Sequence, residues 1–455
     1  MPSKSIIMSS DSYKFSMFKQ MPPNTTEVYS YIESRGGEWN ATEFFGLQMF
    51  IKEYLTKPIT QEDIDFAEPI ILAHGEPFNR EGWEYILNNH GGYLPVIIKA
   101  APEGLIIPVQ NVLCTIRNTD WRCAWLIAVL ETALLRAIWY PTTVATNSYE
   151  YRKLLLEYLD RNGSPETIDF KFIDFGSRGV SSMESSGIGG AAHLVNFQVT
   201  DNITGLLYAH EYYNAGVSGF SVPASEHSTV TSWGKEGEVD SFRNMIKQFG
   251  KEGSIVSCVS DSYNIYAACE MWGTVLKQDV IDSGCTLVIR PDSGNPSEVV
   301  VRCLDILEKY YGSVMNDKGY KVLNVVKVLQ GDGMDLGGLQ SLLFCLDIAG
   351  YSVDNLIVGA GGALLQQIDR DTMKFACKCS AALVDGKWVD VFKDPIGDSG
   401  KRSKKGRVTL TQSETGQYST VVETPDTVSV LKTVFENGNL ITEYSFDEVR
   451  ANSKR

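Results

Sequence analysis

Between residues 171 and 362 the chain repeats one pattern of apolar and polar positions. A short apolar run, rich in β-branched and aromatic residues, ends on a polar or Gly-rich turn and is usually followed by a helix-like stretch. The runs are KFIDFG (171–176), HLVNFQVTD (193–201), GFSV (219–222), SIVSCVSD (254–261), TLVIRPD (286–292), VVKVLQGD (325–332) and NLIVGAGG (355–362). Ser228–Phe249, Tyr263–Trp272, Pro296–Tyr310 and Leu336–Ile348 are the predicted helices between them. Strand–helix alternation implies parallel strands, in a barrel or a doubly wound sheet. The chemistry favours the barrel. Asp174 and Arg178, Asp201, Glu226 and His227, Asp261, Arg290 and Asp292, Asp332, and Gly361 with Gly362 all fall at or just after the C-terminal end of a run. A barrel gathers such residues around one mouth, although each alone also suits a turn or cap.

The flanks read differently. Residues 1–150 mix strand-like pieces (VYSYIES, YLPVIIKA, GLIIPV) with helical ones at Glu43–Tyr54 and Trp121–Trp139. KWVDVFKD and RVTLTQ, after residue 380, alternate polar and apolar positions as antiparallel strands do. The expected organisation is an α/β barrel over 151–380, with 1–150 and 381–455 packed together as an α+β domain.

Composition narrows the partners. The 455 residues are 43% hydrophobic and 21% charged with a net charge of −15, a soluble globular composition that disfavours nucleic acid as a partner. No apolar run approaches the roughly 18 residues of a membrane helix, and MPSKSIIMSSDSYKF lacks a signal peptide's apolar stretch, so no membrane partner and a cytoplasmic location are expected. Nine cysteines without C-x-x-C spacing and five histidines without H-E-x-x-H argue against a disulfide framework and a His-based transition-metal centre.

Four segments carry candidate chemistry. KDPIGDSGKRSKKGR (393–407) places five basic residues within Lys401–Arg407, fitting a solvated or nuclear-localisation segment or a local anion site, which Lys393, Lys378 and Arg370 would extend. NLIVGAGGALLQQ lacks the last glycine of a dinucleotide fingerprint and the GK[ST] of a P-loop. Its Gly361-Gly362 turn suits either one phosphate or tight packing. QGDGMD (330–335) offers Asp332 between glycines, for ribose hydroxyls or a turn. His227, beside Glu226 at a strand–helix junction, is either structural or catalytic. Arg290 and Asp292 form either a surface ion pair or a strand tip aimed at a charged ligand. Together these features suggest sugar–phosphate chemistry without naming the reaction.

DSYK (11–14), FGSRGVSS (175–182), PASEHST (223–229), VSDSYN (259–264), IRPDSGNP (289–296), QGDG (330–333) and FKDP…KRSKKGR (392–407), through SFDEVR (445–450), resemble the nicotinamide phosphoribosyltransferase family in its motif order. The resemblance implies a type II phosphoribosyltransferase fold, an irregular α/β barrel with an α+β domain formed by both chain ends. It also implies a homodimer with active sites at the interface. The implied substrates are nicotinamide and phosphoribosyl pyrophosphate, with Mg2+ as cofactor and ATP as co-substrate.

Carried over by position, Phe175 and a second subunit's Tyr13 would stack on the pyridine ring, and Asp201 would accept from the carboxamide. Asp11 and Ser257 would join the substrate contacts. Arg178 and Arg290 would hold substrate and phosphate, and Asp292 the ribose and magnesium side. Gly331, Asp332, Gly361 and Gly362 would cradle the ribose phosphate, and Arg35, Arg370, Lys378 and Lys393 would bind pyrophosphate. His227 would be phosphorylated from ATP. The resemblance leaves the magnesium ligands open. The sequence departs from the family at Ser177 (commonly Tyr), Lys327 (Arg), Ala363 (Gly) and Ala376 (Ser).

Overall fold

The computed structural model describes residues 5–395 and 402–454. The chain divides into two compact units: residues 147–208 and 216–367 form one, and residues up to 146, 209–215 and 368 onwards the other. The expected boundaries at 150 and 380 therefore move. Helix Leu126–Asn162 runs through the first, and strand Phe375–Val384 pairs antiparallel with Thr25–Ser34, which draws the second boundary back to 367.

The unit built from both chain ends centres on a seven-stranded antiparallel sheet. Its order is Lys387–Asp390, Phe375–Val384, Thr25–Ser34, Val112–Asn118, Val96–Ala100, Lys432–Glu436 and Asn439–Leu440. Tyr31, Ile32, Val96, Ile98 and Phe435 are buried in its core.

The other unit holds five parallel strands: β1 (Phe172–Asp174), β2 (Ile255–Val259), β3 (Thr286–Arg290), β4 (Val326–Gln330) and β5 (Leu356–Ala360). They lie in the order β1-β5-β4-β3-β2. Single parallel bridges carry the ring onward, Asp174 to Thr200, Val199 to Phe220 and Ala224 to Ser257 of β2. This is the irregular α/β barrel, with all strand ends aligned as parallel pairing requires.

Two predicted strands are reduced to these bridges. HLVNFQVTD does not alternate in burial: Leu194, Val195 and Phe197 are all buried, and helix Met183–His193 runs into the segment. That helix fits closely because Gly190 lies where a Cβ would come within 2.8 Å of Gly205 Cα. The predicted helix Ser228–Phe249 is two helices, His227–Thr231 and Glu238–Phe249, separated at Gly234, whose φ of 73° is left-handed. The predicted helix after Gly361-Gly362 spans only Gly362–Leu365.

Candidate active site

The carboxyl ends of the barrel strands line a polar cavity of about 920 Å³. Phe175, Arg178, Asp201, His227, Arg290, Asp292, Gly331, Asp332, Gly361 and Gly362, the sequence candidates of this unit apart from Ser257, all border it. A second, largely apolar chamber of about 630 Å³ shares Phe175, Asp201 and Arg290 with it and is also bordered by Ser257, Lys171 and Lys327. Ser257, buried on β2, faces that chamber rather than the polar cavity.

Phe175 leaves the end of β1, where its N–H donates to Ala360 O at 2.9 Å. Its ring occupies space that two glycines vacate. A Cβ on Gly359 would lie 2.3 Å from the ring, and one on Gly331 would lie 2.8 Å from it. Gly331 therefore makes room for an aromatic wall. Gly361 and Gly362 have no such crowding, since a Cβ there would meet its nearest neighbours at 3.5 Å and 3.9 Å.

Asp201 is exposed at the junction of the two cavities and accepts a hydrogen bond from Ser221 Oγ at 2.6 Å. Behind it stands Asp174, fully buried, whose Oδ1 accepts from Gly176 N at 2.6 Å. Asn202 Nδ2 donates to the other Asp174 oxygen at 3.0 Å and to Ser186 O at 2.9 Å. Ser186 Oγ donates to Asn202 Oδ1 at 3.0 Å and lies 2.8 Å from Ser177 Oγ in the cavity wall. Burial, reinforced by the nearby Asp201 charge, pushes the Asp174 carboxyl up to about 6, against the opposing hydrogen bonds from Gly176 and Asn202.

His227 opens a short helix capped by Glu226 and Thr229. Its Nε2 lies 2.8 Å from Asp261 Oδ1, and its Nδ1 lies 3.9 Å from Asp292 Oδ2. Asp261 Oδ2 accepts from Asp292 N at 3.0 Å and Ser293 Oγ at 2.6 Å. Burial works to raise the Asp261 carboxyl, but hydrogen bonds from Ser293, His227 and Asp292 N hold it below its ordinary value. An ionised carboxylate only accepts, so Nε2 carries the proton and the Nδ1 lone pair is left available.

Arg290, at the end of β3, donates to Ser225 O at 3.3 Å, while its Nε is buried without a hydrogen-bond partner among the described residues. A buried unpaired guanidinium nitrogen suits an anionic or carbonyl ligand.

The remaining candidates belong to the unit of both chain ends. Asp11 accepts from Thr132 Oγ1 at 2.7 Å, and Tyr13 is 56% exposed. Arg35 Nε pairs with Glu33 at 3.1 Å, Arg370 with Asp371 at 2.9 Å, and Lys378 sits opposite Tyr31 in the sheet. Lys393 N donates to Ser403 Oγ at 2.8 Å. Within the basic segment, Lys401 lies outside the described residues, Lys404 pairs with Glu33, and Arg402 pairs with Asp394 at 2.6 Å.

Comparison with known proteins identifies the family. Residues 5–98 match the family model "Nicotinamide phosphoribosyltransferase, N-terminal domain", and residues 170–439 match the "Nicotinate phosphoribosyltransferase (NAPRTase) family". A nicotinamide phosphoribosyltransferase of Xanthomonas campestris pv. campestris is 50% identical over 458 residues, covering 98% of each chain. The chain belongs to the nicotinamide phosphoribosyltransferase family. A second nicotinamide phosphoribosyltransferase, from Acinetobacter baylyi, is 32% identical over 97% of this chain and 95% of its own. Among solved structures, nicotinate-nucleotide pyrophosphorylase from Pyrococcus furiosus has the same fold, with a TM-score of 0.63 over 98% of this chain and 93% of that one at 16% identity.

Two residues of this nicotinamide phosphoribosyltransferase-family site escaped assignment from sequence. Asp261 stood out only as a strand-end acid within VSDSYN, and nothing local ties it to His227, 34 positions earlier. Asn202 carried no signal beyond its place after Asp201.

Proposed function

We propose that this chain transfers the phosphoribosyl group of phosphoribosyl pyrophosphate to the ring nitrogen of nicotinamide, giving nicotinamide mononucleotide and pyrophosphate in NAD salvage. It is a pentosyltransferase by its relatives and family models. The observation that carries the reading is the meeting of Phe175, Asp201 and Arg290 where the apolar chamber joins the polar cavity. An aromatic wall beside a carboxylate suits a flat ring bearing an amide donor. The same carboxylate repels nicotinic acid's negative charge.

In this reading the ring stacks on Phe175 with its carboxamide on Asp201, and the sugar phosphate lies in the polar cavity along Asp332, Gly361 and Gly362. C1 gains oxocarbenium character as pyrophosphate leaves, so the protein chiefly positions the ring nitrogen and balances charge. Arg290 and Arg178 serve the anionic substrate, and Arg35, Arg370, Lys378 and Lys393 the pyrophosphate. Asp292 and Asp332 offer hard oxygen donors in the cavity wall, a donor set that fits Mg2+. When bound there, the cation would offset negative charge on the leaving group.

His227 is the site of ATP-linked phosphorylation. Its Nδ1 forms the bond to the γ-phosphorus as the bond to ADP oxygen breaks, while Asp261 holds Nε2–H. A homodimer would supply Asp11 and Tyr13 from the second copy. No described helix is long and apolar enough to cross a membrane, and a cytoplasmic location completes the proposal.

The test is incubation of the full chain with nicotinamide, phosphoribosyl pyrophosphate and magnesium, followed by chromatography for nicotinamide mononucleotide. Stoichiometric product with pyrophosphate supports the reading. Absence of product with both ATP and magnesium present would overturn it. Separately, γ-³²P-ATP should label the wild type acid-labile and leave His227→Ala unlabelled.

A further inference from the structure

His90, Asp120 and Cys123 lie far from the barrel strands in sequence, and no metal-ligand spacing announces them. His90 ends helix Arg80–His90, and Asp120 caps the 3₁₀ turn Trp121–Cys123. Cys123 N donates to Asp120 O at 3.0 Å, closing the turn that brings the two residues together. The imidazole nitrogen, carboxylate oxygen and sulfur all lie within 4.8 Å of one another. Among the described residues this is the one such group of three His, Cys, Asp or Glu ligands.

The surroundings suit coordination. Asp120 Oδ1 is held by Arg122 N at 2.8 Å, and Oδ2 faces His90 Nε2 at 2.9 Å with Tyr85 O–H donating to it at 2.8 Å. The carboxylate is thus oriented by a backbone and a phenol donor, the outer-shell support that metal-binding carboxylates commonly have. Two ligands on tetrahedral zinc stand about 3.3 Å apart for bonds of about 2.0–2.2 Å, so the His90–Asp120 pair needs to open only a few tenths of an ångström. Cys123 is buried and His90 about one quarter exposed, so the imidazole reaches the group from the surface side.

We propose that His90, Asp120 and Cys123 bind a zinc-class divalent cation, in a site separate from the barrel cavity. One nitrogen, one carboxylate oxygen and one thiolate form a borderline donor set that zinc, cobalt and nickel accept and magnesium does not. Binding replaces the His90–Asp120 hydrogen bond with two metal bonds. The imidazole proton moves to Nδ1 and the thiol proton leaves to solvent, so Asp120 and the Cys123 thiolate balance the cation's two charges. The ion would pin the end of helix Arg80–His90 to the turn after strand Val112–Asn118 as a structural staple.

The test is titration of the full-length, metal-stripped protein with Co2+, read by near-ultraviolet thiolate-to-cobalt absorption, alongside the shift in Tm on adding Zn2+. One equivalent should give the absorption band, and Zn2+ should raise Tm. Cys123→Ser should abolish the band, and His90→Gln, at the surface, should weaken Co2+ binding at least tenfold with an unchanged circular dichroism spectrum. A wild type that shows no band, a band that survives Cys123→Ser, or unchanged affinity in His90→Gln would overturn the proposal and leave a His90–Asp120 hydrogen bond beside a buried thiol. Transferase activity of His90→Gln should match wild type, which separates this test from that of the barrel site.

Discussion

Asp261 links the two strand tips that carry the reactive groups: one carboxylate oxygen lies 2.8 Å from His227 Nε2, and the other accepts the Asp292 backbone N–H at 3.0 Å. The arrangement fixes the imidazole's tautomer and ties the Asp292 loop to the same anchor. An amide at 261 keeps the shape but can present N–H to Nε2, which moves the ring proton to Nδ1 and blocks the nucleophilic lone pair. Asp261→Asn should slow ATP-dependent labelling of His227 by about 10²-fold or more, by the logic of acid-to-amide changes behind a catalytic histidine. Rapid-quench labelling with γ-³²P-ATP measures it, and an unchanged rate would remove Asp261 from the mechanism.

Gly359 is the most demanding contact around Phe175. A Cβ there would sit 2.3 Å from the ring, so Gly359→Ala must displace it. Overpacking of this kind costs about 1–3 kcal/mol. The expected result is a KM for nicotinamide raised about tenfold with the KM for phosphoribosyl pyrophosphate little changed. An unaltered nicotinamide KM would mean that Phe175 does not form the ring's stacking wall.

Asp201 carries the amide-versus-acid choice. Asp201→Asn removes a charged acceptor worth about 1.5–3 kcal/mol in a hydrogen bond. The ratio of kcat/KM for nicotinamide over nicotinic acid should fall by about 10–100-fold. Competition kinetics on the variant reads this directly.

The buried Asp174 gives a pH dependence of stability. Its carboxyl sits at about 6 in the folded chain against an ordinary 3.8, so between those values the folded state binds more protons than the unfolded state. Its contribution to stability is therefore fully present below the lower value and is lost as pH rises through about 6. At about 1.4 kcal/mol per pH unit, the window from 3.8 to about 6 spans about 3 kcal/mol. Denaturant melts from pH 4 to 7 should show Asp174→Asn with a flatter profile than wild type. Parallel profiles would place the Asp174 carboxyl near its ordinary value.

Much of the barrel was legible because strand-end chemistry recurs at each run, from Asp174 to Gly362. What failed did so for physical reasons. HLVNFQVTD looked like a strand because its apolar residues cluster, but Leu194, Val195 and Phe197 all point inward around a helix end, and only Val199 and Thr200 make bridges. The glycine at 234 broke a helix that composition joined. Which chamber Ser257 borders was not legible, because the alternation of β2 gives two faces without saying which one lines the apolar chamber. Asp261 stayed unassigned because its partners come from neighbouring strand tips, 31 and 34 positions away. Pairings that only tertiary contact creates leave no local pattern.

The proposed reaction stands on a preference for nicotinamide over nicotinic acid, which a single assay reads. The purified full chain, supplied with phosphoribosyl pyrophosphate and magnesium, is given nicotinamide and nicotinic acid in separate reactions, each with and without ATP. The expected result is much faster consumption of nicotinamide, with a further increase on adding ATP. Equal rates, or faster consumption of nicotinic acid, would mean that Asp201 does not select the amide.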